Sequence, residues 1–112
     1  MITLIGEAVH RGSRNNLLGE TASEALAETW STDHRVTDKT PPTFLVHASD
    51  DKGVPVENSL LYYKALLAHG VPAEMHVYEA GGHGFGMFRE GRPADKWPEQ
   101  LEPWLKARGI LK

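Results

Sequence analysis

Pro41-Pro42-Thr43-Phe44-Leu45-Val46-His47-Ala48-Ser49-Asp50-Asp51 is the stretch from which the fold can be read. The proline pair blocks any helix entering it. Thr43 to Ala48 is then a β-branched and aromatic run without polar alternation, which suits a central parallel strand covered on both faces. Downstream, Val56 to His69 carries Val56, Leu60, Tyr63 and Leu67 on one helical stripe, and Gly70 stands where a C′ residue ends a helix. Ala73-Glu74-Met75-His76-Val77-Tyr78 follows Pro72 and reads as a further strand nearer the sheet edge. Gly81 to Gly86 is a glycine-dense loop. Trp97, Leu101, Trp104 and Leu105 mark a last amphipathic helix that Gly109 closes.

Upstream, Met1-Ile2-Thr3-Leu4-Ile5 is a short β-prone run that meets Gly6 and reads as a strand. Glu7 to Gly19 is polar and reads as a loop. Thr21-Ala22-Ser23-Glu24 fits a capping box, with a helix following from Ala22 to Trp30. The order β, α, β, α, β, α predicts a three-layer α/β arrangement, a partial sheet of about three parallel strands with flanking helices. No repeat, linker or boundary interrupts it, so residues 1–112 read as a single partial domain. Three strands leave the outer edge of the first in need of a partner.

A net charge of −3 with scattered Lys and Arg argues against binding a phosphate backbone, and no nucleic-acid partner is expected. No apolar run approaches the ~20 residues of a membrane span, so no membrane insertion is expected. Met1 to Gly12 lacks the apolar centre and cleavage pattern of a signal peptide, which leaves localisation open. With no cysteine, thiolate and disulfide chemistry are absent.

The chemistry concentrates at the ends of two strands. Asp51 begins Asp51-Lys52-Gly53-Val54-Pro55, which places a carboxylate at the carboxyl end of the central strand. Asp50 competes with it, because neighbouring side chains point differently and only one can face a partner. His83 in Ala80-Gly81-Gly82-His83-Gly84-Phe85-Gly86 is flanked by glycines, which let the backbone take positive φ and carry the ring over a pocket. A buried acid beside such a histidine can hold its tautomer and stabilise the imidazolium formed in acyl transfer. His47, inside an apolar strand, reads as a hydrogen-bonded core histidine. The six histidines show no H-x-x-x-H or other paired ligand spacing, so no metal site is expected.

These segments, together with Gly12-Ser13-Arg14-Asn15-Asn16-Leu17-Leu18-Gly19 and Val54-Pro55-Val56-Glu57-Asn58-Ser59, resemble the C-terminal portion of an α/β-hydrolase esterase. The similarity is to the acetyl esterase, acetyl-xylan esterase and feruloyl-esterase-like group and extends over nearly the whole chain. The resemblance implies Asp51 as triad acid, His83 as general base, a small-molecule or carbohydrate acyl ester as substrate, and no cofactor. It also implies that Met1 to Ile5 ends a sixth strand and that the nucleophile elbow lies before Met1. No G-x-S-x-G occurs here, and Ser13, Ser23, Ser31, Ser49 and Ser59 lack a strand-to-helix turn of that kind. Two other readings stay open. One is a non-catalytic module, and the other is the ending of a prolyl-oligopeptidase-type or dienelactone-hydrolase-like enzyme. A homo-oligomer built through the first strand is also expected.

Overall fold

The computed structural model describes residues 7–87 and 89–112. The strand expected at Met1 to Ile5 lies outside the described residues. Two parallel strands, β1 (Thr43–Ala48) and β2 (Ala73–Tyr78), pair in register from Thr43↔Ala73 to Ala48↔Tyr78. Both have the bounds expected from sequence. Between them runs helix α3 (Glu57–Ala68), which makes a β-α-β crossover. Before them come α1 (Arg11–Leu18), α2 (Glu24–Trp30) and a 3₁₀ turn at Thr32–Arg35. A second 3₁₀ turn (Pro93–Lys96) leads into the last helix, α4 (Trp97–Ala107).

Strand periodicity assigns the layers. Successive side chains of β1 point to opposite faces. Leu45 joins Leu66 of α3, Val36 and Val71 in the core, with Tyr62, Tyr63, Ala65, Ala73 and Met75 packed around them. On the other face, the Phe44 ring lies 5.7 Å from that of Trp104 in α4. The sheet is thus sandwiched between α3 and α4, the three-layer α/β arrangement predicted.

α3 stops where its sequence says it must. The Val71 amide donates to the Leu66 carbonyl at 2.9 Å and the Gly70 amide to Leu67 at 3.1 Å, while Gly70 takes φ +66°. This is the two-bond closure that a C′ glycine permits, and its accompanying apolar contact joins Val71 to Leu66. Gly109 (φ +69°) closes α4 with the same pair of bonds, Ile110 to Leu105 and Gly109 to Lys106.

Three expectations are corrected. The segment read as a loop contains α1, because His10 Nδ1 accepts from the Ser13 amide at 3.1 Å and so caps the helix. Histidine is not among the strong N-cap residues, so the sequence carries no conventional start signal for this helix. The cap of α2 is Ser23, not Thr21, since the Ser23 hydroxyl accepts from the Leu26 amide at 3.2 Å. In α3 the expected stripe does not face inward as a whole: Leu60 and Leu67 are exposed, and Asn58, Ser59 and Leu66 are buried instead. Apolar residues run around most of that helix, so periodicity alone could not choose its inner face.

Asn58 shows why a polar residue occupies this inner face. Its Nδ2 donates to the carbonyls of Pro55 (2.9 Å) and Ala8 (2.8 Å), which ties the segment before α1 to the start of α3. A buried amide is tolerated when it is hydrogen-bonded in this way.

Candidate acid–base site at the strand ends

The site is assembled where β1 and β2 end. Beyond Ala48 the chain stays paired for one more residue, as the Ser49 amide donates to the Tyr78 carbonyl at 2.7 Å. It then turns sharply, and Asp51 Oδ1 accepts from the amides of Gly53 (2.9 Å) and Val54 (2.8 Å). A carboxylate that bonds its own backbone two and three residues on is a standard way of stabilising such a turn. Here it also fixes where the side chain points.

The structure brings Asp51 and His83 together. His83 Nδ1 lies 3.0 Å from Asp51 Oδ2 and 3.1 Å from Oδ1. The Asp51 side chain is 7% exposed and that of His83 is 62% exposed. Burial works to raise the Asp51 carboxyl. The Val54 amide, the hydrogen bond and charge of His83, and the Gly53 amide together outweigh it and hold the group below the usual carboxylate range. An ionised Asp51 can only accept, so Nδ1 carries the proton and Nε2 presents its lone pair outward. Among the described residues Nε2 has no hydrogen-bond partner.

Asp50, the competing acid, serves the site differently. Its Oδ1 accepts from the amides of Gly81 (2.9 Å) and Gly82 (2.7 Å), which fastens the histidine loop to the end of β1. Arg92 Nη1 donates to the Gly81 carbonyl at 3.3 Å, so that peptide is held from both sides. Asp95 in turn orients Arg92 through an ion pair at 3.0 Å. At the far end of the loop, Trp97 Nε1 donates to the Gly86 carbonyl at 2.7 Å. Gly82 and Gly84 both take φ +67°, the left-handed conformation foreseen for the residues flanking His83.

Two further glycines matter by having no side chain. A Cβ on Gly53 would come within 3.1 Å of the His83 ring, and one on Gly81 would meet the Cβ atoms of Ala94 at 3.0 Å and Ala48 at 3.2 Å. The sequence offers Asp50 only as a rival acid, not as the clasp of the histidine loop, and does not single out Gly53, Arg92 and Trp97 as parts of the site. The spacing of Asp51 and Gly53 was a readable turn signal, whereas the Asp50 clasp is a long-range contact with no local signature.

A groove of about 520 Å³ opens beside the pair, lined by Phe44, Val46, Val54, Phe85, Trp97 and Leu101 along with Asp51 and His83. Ser59 also borders it, but its Oγ is 2.6 Å from His47 Nδ1 and the residue is buried. No described serine is within hydrogen-bond reach of His83 Nε2.

Residues 12–108 match the prolyl oligopeptidase family. The chain belongs to that family. The chain is 32% identical over 111 residues to an acetylxylan esterase of Xylanibacter ruminicola, covering 96% of this chain and 23% of that protein. It is 35% identical over 79 residues to endo-1,4-beta-xylanase B of Butyrivibrio fibrisolvens, covering 70% of this chain and 12% of that one. It superimposes on the acetyl ester-xyloside bifunctional hydrolase of Caldicellulosiruptor lactoaceticus with a TM-score of 0.93 and 42% identity, over 99% of this chain and 41% of that structure. The chain is therefore of the α/β-hydrolase esterase lineage, and it spans less than a quarter of the length of these curated relatives. Among the described residues, no helix is long and apolar enough to cross a membrane.

Proposed function

We propose that this chain supplies the acid and the general base of a Ser-His-Asp hydrolase acting on short acyl esters, acetyl groups on a carbohydrate in particular. The observation that carries the reading is the 3.0 Å contact between His83 Nδ1 and an Asp51 carboxylate fixed by two backbone amides. In this reading a serine hydroxyl, supplied from outside residues 1–112, attacks the ester carbonyl while its proton passes to His83 Nε2. Asp51 stabilises the imidazolium, which then protonates the departing alcohol, and water releases the acyl group by the same route in reverse. The residues act as the C-terminal part of one α/β-hydrolase domain. The similarity to an acetylxylan esterase and to an acetyl ester-xyloside hydrolase supports the acetyl and xyloside preference, and a panel of acetylated xylosides against proline-containing peptides separates it from a peptidase.

The 112-residue polypeptide alone is expected to hydrolyse p-nitrophenyl acetate no faster than background. The rate that survives loss of a triad member elsewhere depends on an oxyanion hole and a substrate site. Turnover abolished by His83→Ala and blocked by a serine-directed reagent would show instead that a serine of this chain is the nucleophile.

A second property is proposed on a separate observation. Trp30 of α2 is 53% exposed and Leu67 of α3 is 54% exposed, with Leu60 and Leu61 also at the surface. In this reading these side chains contribute to one apolar patch, the arrangement that favours association, and the isolated polypeptide is expected to form homodimers or larger assemblies. Sedimentation velocity at micromolar concentration checks this, and a monodisperse monomer contradicts it.

A further inference from the structure

Behind the acid lies a buried polar relay that the acid–base reading does not use. His47 is 9% exposed, yet it sits on a strand position where an aliphatic residue would fill the same space. Burying an imidazole is costly unless both ring nitrogens are bonded. Both are. Nε2 lies 2.9 Å from the Val54 carbonyl and 3.3 Å from Asp51 Oδ2, and Nδ1 lies 2.6 Å from Ser59 Oγ. A carbonyl cannot donate, so Nε2 carries a proton and gives it to Val54, with Asp51 Oδ2 a close polar neighbour of the same edge of the ring. In the neutral ring Nδ1 then accepts from the Ser59 hydroxyl.

The consequence falls on Asp51. The amides of Gly53 and Val54 hold Oδ1. The hydrogen bond at Oδ2 comes from His83, the exposed group that the carboxylate is meant to orient, so the aim of the carboxylate depends on the turn that carries it. His47 also grips the Val54 carbonyl while the amide of Val54 bonds Asp51, so the ring braces both the turn and the carboxylate it carries.

We propose that His47, keyed by Ser59, is a positioning residue that fixes the carboxylate of Asp51 and through it the Nδ1–H tautomer of His83. The inference rests on the reading of Asp51 and His83 as acid and base. Ser59 selects the His47 tautomer, His47 sets Asp51, and Asp51 sets His83.

Long-range ¹⁵N–¹H correlation spectra of the 112-residue polypeptide report each histidine tautomer directly and need no catalytic activity. In the unsubstituted chain, His47 is expected to be Nε2-protonated and His83 Nδ1-protonated. His47 found protonated at Nδ1 alone overturns the proposal without any variant. Gln and Asn then separate positioning from mere filling: a Gln side-chain amide reaches the place of Nε2, whereas an Asn amide reaches only that of Nδ1. His47→Gln is expected to keep the His83 Nδ1–H bias, and His47→Asn to lose it although the protein stays folded by circular dichroism. Equal His83 tautomers in the two folded variants overturn the proposal. Asp51→Asn is the control: if it shifts the His83 tautomer while both His47 variants leave it unchanged, the relay fails and the acid–base pair stands. If Asp51→Asn also changes nothing, both fall together.

Discussion

His83→Ala is expected to lower kcat by about 10⁶-fold in a chimera that joins this chain to the remainder of the Caldicellulosiruptor lactoaceticus hydrolase in place of its matching part. The TM-score of 0.93 makes the graft conservative in backbone, and the His83 loop brings its own anchors, Asp50, Arg92 and Trp97, with it. The size of the effect follows from the role. In the proposed mechanism, removing the base leaves the serine with its proton, and no other described group is hydrogen-bonded at His83 Nε2 to replace it. KM for p-nitrophenyl acetate is expected to change little, because the ring makes its decisive contact in the transition state rather than the ground state. A loss confined to KM would make His83 a binding residue.

Asp51→Asn in the same chimera is expected to cost about 10⁴-fold in kcat. The amide is nearly the same size as the carboxylate, so the fold should survive. What changes is that Asn can present a donor to His83 Nδ1 and so favour the tautomer that carries its proton on Nε2, where the base must be empty. The pH dependence of stability gives a second readout. The carboxyl of Asp51 is held below its ordinary value in the folded chain, so its contribution is complete above the unfolded value of about 3.9. That contribution is lost as pH falls through the lower folded value. Asp95 follows the same sign: burial raises it, but the amides of Arg92 and Glu90 and the Arg92 side chain outweigh that and leave it lowered. Asp51→Asn should therefore flatten part of the acid limb of a pH–stability curve measured by urea unfolding, and leave the part due to Asp95. An unchanged acid limb would mean that Asp51 gains nothing from its partners in the folded state.

The parts of the fold legible in the sequence are those where local chemistry and burial agree. Thr43 to Ala48 has no polar alternation because both faces are covered, and Gly70 and Gly109 stand where only a residue free to take positive φ can close a helix. Asp51 and His83 were legible for the same kind of reason, an acid at a strand's carboxyl end and a histidine among glycines. What remained hidden depended on distant partners. α1 is capped by a histidine and steadied by Arg14 donating to the Ala22 carbonyl at 3.0 Å, which no helix-start rule anticipates. The division of labour between Asp50 and Asp51 turns on which way adjacent side chains leave the turn. One finds a ring and the other finds two amides about thirty residues away in sequence. Leu60 and Leu67 point outward because Asn58 and Ser59 have bonds to make on the inner face, and those bonds are tertiary.

The central claim is that His83, oriented by Asp51, activates a serine that these 112 residues do not contain. Covalent labelling of the chimera by a fluorophosphonate reads serine nucleophilicity directly, independent of any choice of ester, and mass mapping locates the modified residue. The label is expected on a serine of the grafted remainder, formed rapidly with His83 intact and slowed by several orders of magnitude in His83→Ala. A labelling rate unchanged by His83→Ala, or a label on a serine within residues 1–112, would contradict the account.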